Sequence, residues 1–176
     1  MRIVILILLF GSLLFGSNYN YVLLKAQATI FPKIMLLDKK LDEKLVDGKI
    51  VYTVVYDKSD YKTALEVSKL IKDNHNGRLD KYSYKVNLVE LSEFSNETDA
   101  TAIYALNLEH SINKVANIAK EKGIVTFSYD VENLKKGMLF SLMLEKSTVL
   151  YLNKENLHPQ KVDFVVSLLQ MVEFID

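Results

Sequence analysis

The sequence predicts an α/β domain: a single Rossmann- or flavodoxin-like fold of three layers around a mostly parallel sheet of five or six strands. Three observations predict it. Short segments rich in β-branched and aromatic residues alternate with segments of helical period along most of the chain. Connections between them are long enough for right-handed crossovers, which put helices on the sheet faces. The composition is that of a globular chain, 176 residues with 49% apolar and 25% charged, with no internal repeat or low-complexity linker.

The elements follow in order. Asn18 to Leu37 reads as a helix, with Leu23, Ala26, Ile30, Phe31 and Ile34 near a 3.6 period. Pro32 removes one hydrogen bond to Ala28 and should kink or end it. Asp38 to Gly48 is a charged connection closing on an Asp47-Gly48 turn. Lys49 to Tyr56 (KIVYTVVY) is the clearest strand, apolar enough to be buried on both faces. A helix follows to about Asn74, capped by Ser59 or Asp60 and stopped by His75-Asn76-Gly77. Tyr82 to Leu91 is a second strand, Ser92 to Asp99 a polar loop, and Thr101 to Leu106 a third strand. Glu109 to Lys122 is a helix ended by Gly123, and Ile124 to Ser128 a fourth strand. Val131 to Lys135 makes one short helical turn. Met138 to Leu144 and Thr148 to Leu152 are two strands whose three-residue link favours an antiparallel hairpin. The last stretch, Val162 to Ile175, reads as a helix with Val165, Leu168, Leu169, Val172 and Ile175 on one face.

Met1-Arg2 precedes about a dozen apolar residues and then Gly16-Ser17, the three-part pattern of a secretory signal. The run is short for a spanning helix, which needs about 20 residues; an uncleaved anchor is the alternative. Residues 1–17 are thus expected to be a signal peptide and 18–176 one α/β domain, exported to the periplasm. Removing the leader takes one charge, Arg2, from a balance of 22 basic and 22 acidic residues, so the remainder has a net charge of −1. That balance argues against a nucleic-acid partner.

No catalytic constellation stands out. Zero Cys excludes disulfides, Cys-based zinc sites, iron–sulfur clusters and cysteine nucleophiles. His75, His110 and His158 lack metal-ligand spacing. No G-x-S-x-G elbow, Walker loop or G-x-G-x-x-G is present, so the sequence nominates neither an enzyme nor a cofactor. What an open α/β sheet does nominate is the carboxyl ends of its strands, where ligands bind. Asp57, Asn107, Ser128 and Asp130 fall there and would be the polar contacts of a small ligand. The alternative is that such residues cap the next helix. For a partner or a dimer, helix 1 and the last helix supply the candidate apolar contacts Phe31, Ile34, Phe164 and Met171, unless these are core.

The C-terminal third carries a resemblance. Ile124 to Asp130 resembles a strand ending in a Ser/Asp turn, and Lys136-Gly137-Met138-Leu139 a "GGMI"-type strand start with Lys136 in place of the first Gly. Tyr151-Leu152-Asn153 resembles an "xIN" strand end, and Val166 to Val172 a terminal "LLxLAxxV" helix. With the early helix Tyr21 to Ile34, this order is similar to the YfiR-like family of small exported bacterial proteins. The resemblance implies a periplasmic protein that dimerises and binds the periplasmic sensor part of an inner-membrane signalling protein, a diguanylate cyclase or a histidine kinase. The chain departs from the family in lacking its Cys residues and its double Gly, so disulfide control cannot operate here. "KGIVTFSYD" and "LKKGMLFSL" also resemble one lobe of the periplasmic substrate-binding proteins of transporters. That second resemblance implies a single-lobe small-ligand-binding protein.

Overall fold

A computed structural model describes residues 19–108 and 111–175. The expected signal peptide, residues 1–17, lies outside the described residues, as does His110.

Helix α1 spans Tyr21–Met35 and starts one residue after Asn20, whose side chain accepts from the Leu23 N–H at 3.1 Å. Pro32 lies inside it, and the helix ends within a turn, at Met35. Strand β1 (Ile50–Tyr56) is buried along its whole length. Helix α2 (Tyr61–His75) ends on Asn76 in the left-handed conformation, φ 44°. A two-residue strand β2 (Arg78–Leu79) leads into β3 (Tyr82–Glu90). Then come β4 (Ala102–Ala105), α3 (Ile112–Lys122), β5 (Val125–Ser128) and a 3-10 turn over Val131–Lys136. The expected hairpin is present as β6 (Phe140–Leu144) and β7 (Thr148–Asn153), paired antiparallel.

Among the described residues the sheet has eight strands, the last of them β8 (Glu173–Ile175), in the order β2-β3-β1-β4-β5-β6-β7-β8. Its central five, β3-β1-β4-β5-β6, are all parallel. The chain leaves β1 toward one side of the sheet and restarts from β4 toward the other, so a switch point lies between β1 and β4. Right-handed crossovers in opposite directions put their helices on opposite faces. Accordingly α1 and α2 cover the face of Tyr52, Val54, Tyr104 and Phe127, while α3 and the 131–136 turn cover the face of Val55, Ile103 and Ala105.

Two expectations are corrected. The sheet exceeds five or six strands because β2 and β8 add to its two edges. The final helix is confined to α4 (Val166–Leu169), and the chain then forms β8 (Glu173–Ile175), parallel to β7. The apolar spacing of 162–175 fits a helix, but the open edge of β7 offers main-chain partners, and the Glu-Phe-Ile tail suits a strand. Residues before α4 are also extended: the Val165 N–H donates to the Leu37 carbonyl and the Lys39 N–H to that of Asp163.

Aromatic rings fill the α1 face. Phe31 stacks on Phe127 with centroids 4.7 Å apart, Phe127 on Phe140 at 5.6 Å, and Phe164 meets Phe140 edge-on at 5.2 Å. Phe31, Ile34 and Phe164 are therefore core side chains, not partner contacts; Met171 is 68% exposed. Buried amides secure the other face. The side-chain amides of Asn153, Asn156 and Gln160 donate to the carbonyls of Leu134, Met138 and Gly137 at 3.0 to 3.1 Å.

Candidate functional site

Register places the strand ends beside one another. Val55 of β1 pairs with Ala105 of β4, and Ala105 pairs with Ser128 of β5. Two residues further along each strand come Asp57, Asn107 and Asp130, so three of the four nominated positions share one level across the switch point.

Their side chains do different things. Ser128 is fully buried, and its hydroxyl accepts from the Asp130 N–H at 3.2 Å and from Asn133 Nδ2 at 2.9 Å. Asp130 is exposed and accepts from the Glu132 N–H at 2.9 Å, capping the 131–136 turn. Those two residues thus serve the turn that follows β5. Asp57 and Asn107 are half-buried; the Asp57 carbonyl accepts from the Asp60 N–H at 2.7 Å, opening the short turn before α2.

The residue that brings this edge together is Tyr19. Its hydroxyl donates to the Asp60 carboxylate at 2.7 Å and accepts the Asn107 backbone N–H at 2.8 Å. Its ring meets Tyr129 edge-on, centroids 4.7 Å apart. The Tyr129 hydroxyl in turn accepts the Asn20 N–H at 2.8 Å. Burial first, and the carboxylate of Asp60 second, push the Tyr19 phenol far above its ordinary range, so it stays a neutral donor. Asp60 occupies the N-cap position of α2, yet its side chain makes no cap hydrogen bond there. Its carboxylate faces Tyr19 instead.

A cleft of about 260 Å³ opens beside this contact, lined by Tyr19, Tyr21, Leu24, Lys62, Thr63 and Glu66. Tyr19 precedes the N-cap and Leu24 is four residues beyond it, the spacing at which apolar side chains pack across a helix start. Tyr19 is thus a wall shared by the strand-end edge and the cleft between α1 and α2. Among the described residues no group of three or more His, Asp or Glu side chains is placed to hold a metal. No helix among them is long and apolar enough to cross a membrane.

Sequence reasoning reached the edge through its strand ends, Asp57 to Asp60 and Ser128-Tyr129-Asp130, and missed the side chain that joins them. Asp60 reads as a cap, and Tyr129 as part of the strand-end turn. Tyr19 stands one residue before the Asn20 cap, and that aromatic beside a cap was the one local signal available.

No protein-family model matches the chain, and no curated protein does. Solved structures do. The chain is similar to a conserved domain protein from Vibrio cholerae O1 biovar eltor, with a TM-score of 0.63 at 13% identity over 87% of this chain and 60% of that one. It is also similar to the ABC domain from Streptococcus pneumoniae in complex with L-Trp, with a TM-score of 0.52 at 10% identity over 81% of this chain and 62% of that one. At these identities the likeness is one of fold. The chain spans about three fifths of the length of each.

Proposed function

We propose that this chain is a non-enzymatic small-ligand-binding module that works through the strand-end edge between β1 and β4. One observation carries the reading: a backbone N–H (Asn107), a carboxylate (Asp60) and an aromatic ring (Tyr129) converge at the switch point of the sheet. That is where open α/β folds take ligands. A fold neighbour binds L-Trp. A small polar molecule with a flat apolar body has the matching parts: an acceptor for the N–H, a donor for Asp60 and a ring or chain for Tyr129. The leader pattern of residues 1–17 supports export to the periplasm. The test is a thermal-shift screen of amino acids, organic acids and sugars. A ligand at 100 times its Kd adds about 2.7 kcal/mol, a rise of roughly 5–10 °C for a chain of this size. Flat melting at millimolar ligand overturns the reading.

A second reading is the regulatory module that binds the periplasmic part of an inner-membrane signalling protein, alone or as a dimer. The observation favouring it is the exposure of Val166, Met171 and Phe174, at 65%, 68% and 48%, along the C-terminal segment. Met171→Glu then weakens binding to such a partner's periplasmic domain about tenfold or more; unchanged binding counts against it.

A further inference from the structure

The strand-end edge already holds an aromatic group, and that group belongs to the chain itself. Tyr19 makes the contacts a ligand would make: one hydrogen bond given to Asp60, one taken from the Asn107 N–H, and a ring edge against Tyr129. From these contacts we infer that the edge is a hydroxyaryl site filled in cis by Tyr19, and that an incoming phenol binds by displacing that side chain. The inference rests on the ligand-binding reading above and names its ligand class.

The chemistry of the two polar partners selects that class. Asp60 needs a donor and the Asn107 N–H needs an acceptor, and both meet one oxygen at 2.7 and 2.8 Å. A hydroxyl does both at once; a methyl, an ether or an indole N–H does not. The Tyr129 ring selects a flat apolar body for that hydroxyl, since edge-on aromatic pairs gain beyond the area they bury.

Two features make displacement feasible. First, Asp60 sits at the N-cap of α2 without capping it. When Tyr19 leaves, the carboxylate has the α2 N-terminal N–H groups as alternative partners, so the open form does not strand a charge. Second, Tyr19 itself lines the cleft of about 260 Å³. Cavities of about 150 Å³ hold benzene, so this volume accommodates an aromatic ring beside the edge. Tyr19 also adjoins the Asn20 cap, whose backbone N–H is tied to the Tyr129 hydroxyl. Displacing Tyr19 therefore loosens the entry of α1, and ligand occupancy becomes readable at the start of that helix.

The experiment uses the full chain carrying Tyr19→Ala, titrated with p-cresol and, separately, with toluene, which has the same shape without the hydroxyl. The expected result is a lowered melting temperature that p-cresol raises by several degrees, more than it raises wild type and more than toluene raises the variant. Equal shifts in variant and wild type, or equal shifts from p-cresol and toluene, overturn the inference. If the alanine form does not fold, Tyr19→Phe carries the test, since it keeps the ring and removes the hydroxyl. Its weaker hold on the edge should tighten p-cresol binding about tenfold relative to wild type, because less of the closed form competes. An unchanged Kd overturns the inference. Failure of the broader ligand screen together with p-cresol rescue supports Tyr19 as occupant while removing the natural-ligand reading. An amino-acid ligand that binds wild type and Tyr19→Ala equally, with no p-cresol rescue, sinks this inference and spares the broader one.

Discussion

Replacing Gln27 by Leu should cost about 2–3 kcal/mol, and the cost should depend on Tyr104. Gln27 is fully buried on α1. Its amide nitrogen donates to the carbonyls of Tyr129 at 3.1 Å and Leu142 at 3.0 Å, and its amide oxygen accepts the Tyr104 hydroxyl. The substitution removes two bonds to carbonyls, about 1 kcal/mol each, and orphans a buried hydroxyl, about 1–3 kcal/mol. Better burial of a leucine returns about 1–2 kcal/mol. The net loss is a fall in Tm of roughly 4–12 °C for a chain of this size. Tyr104→Phe alone leaves the Gln27 oxygen unpaired and should cost about 1–2 kcal/mol. Added to Gln27→Leu it should cost nothing or stabilise, because it removes a hydroxyl that already lacks its partner. The coupling is then about 1.5 kcal/mol or more. The assay is urea unfolding followed by far-UV circular dichroism, since the chain has no Trp to report. Tyr104→Phe costing the same in both backgrounds would refute the network.

Tyr52→Phe should stabilise the protein by about 1 kcal/mol, because the fully buried Tyr52 hydroxyl has no hydrogen-bond partner among the described residues; a lower urea midpoint would contradict this. Gly137→Ala should destabilise by about 2 kcal/mol, since the residue has φ 105° and a new Cβ would lie 3.0 Å from both Ala116 Cβ and Lys120 Nζ. Gly48→Ala, with φ 71° and open space, should cost only about 1 kcal/mol in the same denaturation series. Stability should fall as pH rises above the ordinary tyrosine value of 10.0, because burial raises the pKa of Tyr19, Tyr52 and Tyr104 and the folded state keeps protons that the unfolded chain loses. Lys44, lowered by burial, acts in the opposite sense up to its ordinary 10.5, but it is one group against three. Tyrosinate absorbance followed against pH checks this; complete ionisation at about pH 11 with the fold intact would disprove it.

Much of the sheet was legible because its signals are local. KIVYTVVY carries apolar residues on both faces of the pleat, and the strand it forms, Ile50–Tyr56, is buried throughout. Gly123 stops α3 in the left-handed conformation, φ 71°, as its position after Lys122 suggests. The hairpin follows from the shortness of Glu145-Lys146-Ser147. Strand β8 was not legible, since 162–175 carries a helical spacing and only the free edge of β7 turns its end into a strand.

By itself, then, the sequence determined the alternation of strands and helices, the parallel core and the level at which the strands end. Periodicity and capping act between residues a few positions apart, and a single chain displays them directly. Tertiary structure decided what stands at that level. Tyr19 meets Asp60 and Asn107 across 41 and 88 residues, and Asn20 meets Tyr129 across 109. The same distance effect sends Phe31 and Phe164 into the core and leaves Met171 in solvent. Contacts of that range depend on how the crossovers wind and which face each helix covers, and no local pattern of side chains specifies which phenol will reach which carboxylate.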